Sequence, residues 1–456
     1  MYGNDTIAAV STPYGSGGIG IVRLSGEEAF NIASKVFKGK KPFNKLRTHT
    51  LNYGKIFDPC SGEIIDEVLL SKMEAPHTYT KEDVVEINCH GGATVQRRIL
   101  ELLLKEGARL AGPGEFTMRA FLNGRIDLSQ AEAVIDLINS KTDESARAAV
   151  GQLEGRLSGK IKEARKELMG LLAHIEATVD YPEYDIEEIT GRLINEALKK
   201  IREKLERIAE SFEKGRIIRE GLNAVIIGKP NVGKSSLLNE LAGKNRAIVT
   251  DVPGTTRDII EEYVDIDGIP VKIADTAGIR ETSDAVERIG VERAEKAIED
   301  ADLVIMMVDV REGIKEEDEK ILEKIRDKKH IVVINKIDLS QDAHEYPILE
   351  GRRAIRTSVK YDIGIDSLEK EIKELFLKGE IGANNEVLVT NIRHKNLIDK
   401  AIESIDDACR AYADNMPVDI VSVDIKNAAE YLGRITGESV CEDLVKEIFE
   451  KFCIGK

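Results

Sequence analysis

Ala224-Val225-Ile226-Ile227-Gly228-Lys229-Pro230-Asn231-Val232-Gly233-Lys234-Ser235-Ser236 decides the fold at the centre of this chain. Its first four residues form a continuous apolar run, as a strand buried on both faces of a mostly parallel sheet requires. The next eight read G-x-x-x-x-G-K-S, a loop whose glycines let backbone N–H groups curl around phosphate oxygens. Lys234 brings positive charge to the β- and γ-phosphates, the Ser235 hydroxyl can ligate Mg²⁺, and a helix is expected from Ser236 to Leu241.

Three later segments fit the same sheet. The run Val271–Ala274 ends in Asp275-Thr276-Ala277-Gly278, where a carboxylate at a strand tip can hold the magnesium shell and the Gly278 amide can sense the γ-phosphate. The strand Ile331–Ile334 ends in Asn335-Lys336-Ile337-Asp338. Asp338 can accept from the guanine N1–H and exocyclic amine, which adenine cannot supply, so ATP would leave a carboxylate unpaired. Ser358-Val359-Lys360 would set backbone groups against the guanine oxygen. All four segments end strands on the side where open α/β sheets bind ligands, so the expectation is a GTP site. Catalysis is less plain, because Ile279 follows Gly278 where Ras-like proteins place a water-orienting glutamine. Thr256, within Gly254-Thr255-Thr256-Arg257-Asp258, offers a second magnesium-side hydroxyl, and Glu287 lies on a polar segment near the phosphates. Arg257, Arg280 and Arg288 read either as cationic fingers or as solvated loop residues.

At 456 residues the chain exceeds one hydrophobic core. The first ~120 residues predict an α+β domain, with strands at Ile7–Val10, Ile19–Val22 and Val84–Ile87 and a helix face at Val95, Ile99, Leu102 and Leu103. From Leu128 to Phe212 the spacing of Ile161, Ala164, Leu168, Leu171 and Ile175, and of Ile194, Leu198, Ile201, Leu205, Ile208 and Phe212, predicts two antiparallel bundle helices. Gly151, Gly155 and Gly159 suggest close helix contact, and Lys214–Gly221 a linker. After Gly382 helices return, so the economical fold is multidomain α/β and α+β: an α+β domain at 1–120, a helical domain at 121–215 and 381–456, and the nucleotide domain at 216–380 inserted into the helical bundle. Cys60, Cys89, Cys409, Cys441 and Cys453 show no metal or disulfide spacing, and no span fits a membrane. No export signal is legible, which predicts a cytoplasmic protein. The net charge of −16 argues against indiscriminate nucleic-acid coating while leaving room for a local basic patch.

Gly228–Ser236 with Asn231 inside it, Gly254–Asp258, Thr12-Pro13 to Gly26, Pro113-Gly114-Glu115-Phe116-Thr117 through Phe121-Leu122-Asn123, and the terminal Phe452-Cys453-Ile454-Gly455-Lys456 together resemble the MnmE (TrmE) family of tRNA modification GTPases. The resemblance covers nearly the whole length. It implies a P-loop GTPase domain with a nucleotide site formed by Asn231–Ser236, the switch segment Thr250-Asp251-Val252-Pro253-Gly254-Thr255-Thr256, Asp275–Gly278, Asn335, Lys336, Asp338 and Ser358–Lys360. Mg²⁺ would sit on Ser235 and Thr256, and K⁺ on Asn231, Thr250, Val252 and Thr255. Glu287 would be the catalytic glutamate and Cys453 the reactive cysteine of the tail. The N-terminal domain would be folate-binding-like, holding 5-formyltetrahydrofolate or a related folate through Arg23, Glu86, Arg125 and Lys456. From the residues alone, Arg23 and Glu86 read equally as solvated charges and Cys453 as a small buried residue. The implied activity is K⁺-stimulated GTP hydrolysis by a homodimer. In a heterocomplex with an MnmG (GidA)-like flavoprotein, it would serve C5 modification of the wobble uridine of certain tRNAs. A GTP-regulated RNA or ribosome assembly scaffold without one-carbon chemistry is the competing expectation.

Overall fold

In the computed structural model, which describes residues 5–13, 15–180, 187–244, 263–275, 296–340, 349, 351–377, 387–414 and 416–455, the N-terminal segment forms a seven-stranded sheet. Its strands are β1 (Ile7–Val10), β2 (Ile19–Ser25), β3 (Phe37–Gly39), β4 (Thr50–Phe57), β5 (Ile64–Met73), β6 (Val84–His90) and β7 (Arg109–Leu110). The order is β3-β4-β5-β6-β2-β1-β7, antiparallel except for the β1–β7 pair. Helices α1 (Ala29–Val36) and α2 (Ala93–Lys105) bury Ile32, Ala33, Ile99 and Leu103 against Val22, Leu24, Leu70 and Ile87. The three expected strands lie within β1, β2 and β6. The β4–β5 hairpin escaped the reading because its outer face exposes Leu51 and Tyr53 instead of alternating cleanly with polar residues. Gly112-Pro113-Gly114 then leads into α3 (Glu115–Leu122).

Four helices follow: α4 (Leu128–Ile138), α5 (Asp143–Leu153), α6 (Arg156–Asp180) and α7 (Glu187–Glu210). Asp127 starts α4 by accepting from the Gln130 amide at 3.0 Å, while Gln130 Oε1 accepts from the Asp127 amide at 2.9 Å, a reciprocal capping box. Of the glycine ladder, only Gly155 meets another helix: it takes φ +84° in the α5–α6 turn with Gln130 Nε2 of α4 3.3 Å from a Cβ there, whereas Gly151 faces Arg156 and nothing lies within 4 Å of a Cβ at Gly159. The expected linker is helical too, as α8 (Phe212–Glu220). Its Gly215 passes so close to the returning chain that a Cβ there would stand 2.2 Å from the Val389 carbonyl oxygen.

The inserted domain comprises β8 (Leu222–Gly228), α9 (Lys234–Lys244), β9 (Tyr263–Ile266), β10 (Ile269–Asp275), β11 (Leu303–Asp309), α10 (Glu316–Lys324), β12 (His330–Asn335), β13 (Ala354–Arg356) and α11 (Ile365–Leu377). Strand order is β13-β12-β11-β8-β10-β9, parallel except for the edge strand β9. Every residue of β11 is buried; Leu303, Ile305 and Met307 enter the core on one face of the sheet, and Val304, Met306 and Val308 the core on the other. The chain then returns as α12 (Ile392–Ala413), α13 (Val418–Thr436) and α14 (Glu442–Glu450). Leu168 of α6, Leu198 of α7, Ile405 of α12 and Ile425 of α13 share one core, so the bundle begun before the insertion is completed after it. Leu171 and Ile208 are only partly buried, and Leu172 takes the inner position instead of Leu171. Val445 and Phe449 of α14, with Phe452 just beyond its end, pack against Met118 and Leu128.

Candidate functional site

The nucleotide loop leaves β8 at Gly228, which takes φ +142°, and a Cβ there would stand 2.4 Å from the Met307 carbonyl oxygen. Gly233, at φ +107°, approaches Asn335 so closely that a Cβ would lie 2.5 Å from its Nδ2. Both positions therefore require glycine. Asn335 is buried and makes the junction of the site: its Nδ2 donates to the Val232 carbonyl at 2.9 Å, while its Oδ1 accepts from Thr357 Oγ1 and from the Val359 amide, each at 3.2 Å. One side chain thus ties the phosphate loop to the Ser358–Lys360 turn. Ser358 in turn donates to Asp338 Oδ1 at 2.5 Å. The cleft so framed, about 640 Å³, is lined by Gly233, Ser236, Asn335, Lys336, Asp338 and Val359 among others, a size suited to a nucleotide. Lys234 Nζ donates to the carbonyls of Gly228 and Lys229 at 2.8 and 2.9 Å, at the mouth of the loop. Asn231 takes φ +63°, a left-handed conformation that asparagine tolerates.

Ser235 lies in the first turn of α9, and Asp275 closes β10 beside β8. Thr250, Asp251, Val252, Pro253, Gly254, Thr255, Thr256, Arg257, Thr276, Ala277, Gly278, Arg280, Glu287, Arg288 and Lys456 lie outside the described residues.

Arg23 and Glu86 face each other across β2 and β6, with Arg23 Nε donating to Glu86 Oε1 at 2.8 Å. They are partly buried and paired, not merely solvated. The Arg23 guanidinium lies 5.5 Å from the Phe116 ring and 5.7 Å from the Tyr79 ring; Arg125 stacks on the same Tyr79 ring at 4.6 Å and donates to its carbonyl at 3.2 Å. Tyr79 carries no motif that could have singled it out, and Phe116, legible as a member of the Pro113–Thr117 segment, gave no sign that its ring meets Arg23. The tail docks nearby: Ile454 bridges Pro113, the Gly114 amide donates to the Cys453 carbonyl at 3.2 Å, and Ser11 Oγ donates to the Gly455 carbonyl at 3.0 Å. Cys453 is exposed, which removes its reading as a small buried residue. At Gly455, φ is +93° and a Cβ would stand 2.1 Å from the Val10 carbonyl oxygen. Gly455→Ala is expected to undock the tail, and hydrogen exchange at the Gly114 amide reads this as lost protection; unaltered protection would contradict the docking.

A family model described as "GTP-binding protein TrmE N-terminus" matches residues 6–125, and one described as "MnmE helical domain" matches residues 128–453. The tRNA modification GTPase MnmE of Acetivibrio thermocellus is 65% identical over 459 residues, covering 100% of both chains. The chain belongs to the MnmE family. The tRNA modification GTPase MnmE of Clostridioides difficile is 52% identical over 461 residues, again covering 100% of both chains. Among solved structures, Era of Aquifex aeolicus is similar over 40% of this chain and 66% of that one, at 30% identity and a TM-score of 0.28.

One further charged group borders this MnmE-family nucleotide site. Asp309, buried at the carboxyl end of β11, receives Arg311 Nη2 at 2.7 Å and Lys336 Nζ at 2.8 Å. Hydrogen bonds from Arg311, joined by Lys336, outweigh burial and hold its carboxyl well below the usual carboxylate range. Lys336 Nζ also reaches the Asn231 carbonyl at 2.5 Å, spanning from the base-side loop to the phosphate loop. A carboxylate ending an apolar strand was the available signal for Asp309. Farther off, buried Glu132 of α4 accepts from Arg393 Nη2 at 2.7 Å and lies 2.6 Å from His394 Nε2, both on α12. One turn along α4, Asp136 accepts from Arg219 of α8 at 2.8 Å, so a single helix links the bundle to the helix that enters the inserted domain.

Proposed function

We propose that this chain hydrolyses GTP to GDP and phosphate in the service of tRNA modification, acting at C5 of the wobble uridine of certain tRNAs to give a carboxymethylaminomethyl or aminomethyl group. The observation that carries the GTP reading is the Asn335 junction, which gathers the phosphate loop, the loop of Asp338 and the Ser358–Lys360 turn around one cleft. Relatives named tRNA modification GTPase, matching over the full chain, support the tRNA reading.

The residues present suit a triphosphate: a glycine-bearing loop between β8 and the start of α9 presents backbone, and Lys234 Nζ is held at its mouth by the carbonyls of Gly228 and Lys229. Ser235 and Thr256 would hold Mg²⁺, and Asn231, Thr250, Val252 and Thr255 would hold K⁺; the cations supply positive charge where negative charge develops in phosphoryl transfer. Lys234 would meet the β- and γ-phosphates, Asp338 would select guanine, and Glu287 would orient the attacking water. In the proposed homodimer, two nucleotide domains would face each other. Arg23, Glu86 and Arg125, with Lys456, would bind the folate; the paired charges beside the Tyr79 and Phe116 rings suit a flat ligand bearing carboxylates. Cys453 of the docked tail would act at this end of the molecule, and the redox chemistry would belong to the flavoprotein partner.

Two readouts test this. GTP turnover is expected to run at least tenfold faster in K⁺ than in Na⁺ at equal ionic strength, on the order of one well-placed electrostatic contact. Mass spectrometry of tRNA nucleosides from cells lacking the chain is expected to show unmodified wobble uridine. Equal rates would remove the cation, and normal wobble uridine would leave a GTP-regulated RNA or ribosome assembly scaffold.

A further inference from the structure

We infer that the β3 edge of the N-terminal sheet, with the turn that follows it, is a docking surface for the phosphate backbone of tRNA; this rests on the reading that tRNA is the substrate. The whole chain carries 82 Asp and Glu against 66 Lys and Arg, yet no carboxylate occurs from Ala29 to Phe57. The sign of the charge is inverted locally in that window. Two of its cations are paired, Lys35 with Glu106 at 3.6 Å and Lys55 with Glu67 at 3.0 Å. Lys38, Lys40, Lys41, Lys45 and Arg47 are exposed and, among the described residues, have no carboxylate within ion-pair range.

The fold brings these cations to one place. β3 is an edge strand paired only with β4, and Lys38 stands directly opposite Lys55. Like charges across an antiparallel pair repel, so the fold gains nothing from this pair by itself. In the turn beyond, Phe43 and Leu46 bury themselves against the domain core and leave Lys40, Lys41, Lys45 and Arg47 pointing to solvent. Lys72 of β5 extends the surface, its Nζ 4.6 Å from the Phe30 ring and 5.7 Å from the Phe43 ring. Lysines on an edge strand deter edge-to-edge pairing. That role accounts for Lys38 but not for four cations placed off the ladder. An anionic membrane is the poorer match, because the cations sit on a strand and a turn and not on an amphipathic helix with an apolar face to insert. A polyphosphate backbone needs only clustered positive charge.

The test is fluorescence anisotropy of the full chain with a labelled tRNA transcript across about 50 to 200 mM salt, comparing wild type with the triple variant Lys40→Ala, Lys41→Ala, Lys45→Ala. With roughly 0.7 to 0.9 of logarithmic salt slope per phosphate contact, the variant should lose about two to three units of slope and bind about tenfold or more weakly. Its GTPase rate without tRNA should be unchanged, and the Lys→Arg triple should bind as wild type. Wild-type binding with an unaltered slope in the alanine variant would overturn the placement alone; a wild type that binds no tRNA would overturn the tRNA reading with it. Vesicles of phosphatidylglycerol bound more tightly than tRNA, and released by the same variant, would overturn RNA in favour of lipid.

Discussion

Asp338→Asn should weaken GTP binding by about two to four orders of magnitude and raise the affinity for xanthosine triphosphate. The carboxylate would accept two hydrogen bonds from guanine, and bonds to a charged group are worth about 1.5–3 kcal/mol each, which converts to that range. An asparagine amide offers one acceptor and sets a donor against a guanine N–H, so it adds repulsion as well as removing attraction. Xanthine carries a carbonyl where guanine has its amine and accepts from the same amide. Ser358 keeps a partner in the remaining side-chain oxygen, so the turn behind the base is retained. Titrations of wild type and variant with the two nucleotides decide the matter; identical selectivity in both proteins would mean that Asp338 does not read the base.

The second large effect concerns stability. Glu132→Ala should cost about 3–5 kcal/mol, because it strands Arg393 and His394 in a buried setting without their carboxylate. Burial alone would raise the Glu132 carboxyl, but His394 and Arg393 override it and lower it to about 2. The unfolded value is about 4.3, so the folded value is depressed. Its stabilisation is therefore complete above about pH 5 and fades as pH falls through the folded value near 2. Urea denaturation of both proteins at several pH values checks this: the gap between them should be constant at neutral pH and close in acid. A gap that persisted unchanged to pH ~2 would contradict the role given to the charge.

How much of this was legible beforehand follows from where each residue stands in the chain. The phosphate loop and Asn335–Asp338 were readable because their chemistry is local: a strand, a turn and a few side chains at fixed spacing. The bundle was readable because alternating steps of three and four mark a helix face whatever its partner. Contacts distant in sequence left no such trace. Gly215 looks like part of a basic linker until Val389 is seen against it. Arg23 and Glu86 look like surface charges until β2 and β6 set them opposite each other, and Glu132 meets Arg393 only across the inserted domain. Asn335 was legible as a motif member, while its role as the clamp on Val232 and Val359 required the geometry.

The most direct measurement is calorimetric titration of the full chain with magnesium GTP and, separately, magnesium ATP. The site described here predicts saturable heat with GTP at micromolar or tighter affinity, roughly −8 kcal/mol or beyond, and none with ATP at the same concentrations. No heat with GTP, or equal heat with both nucleotides, would contradict it.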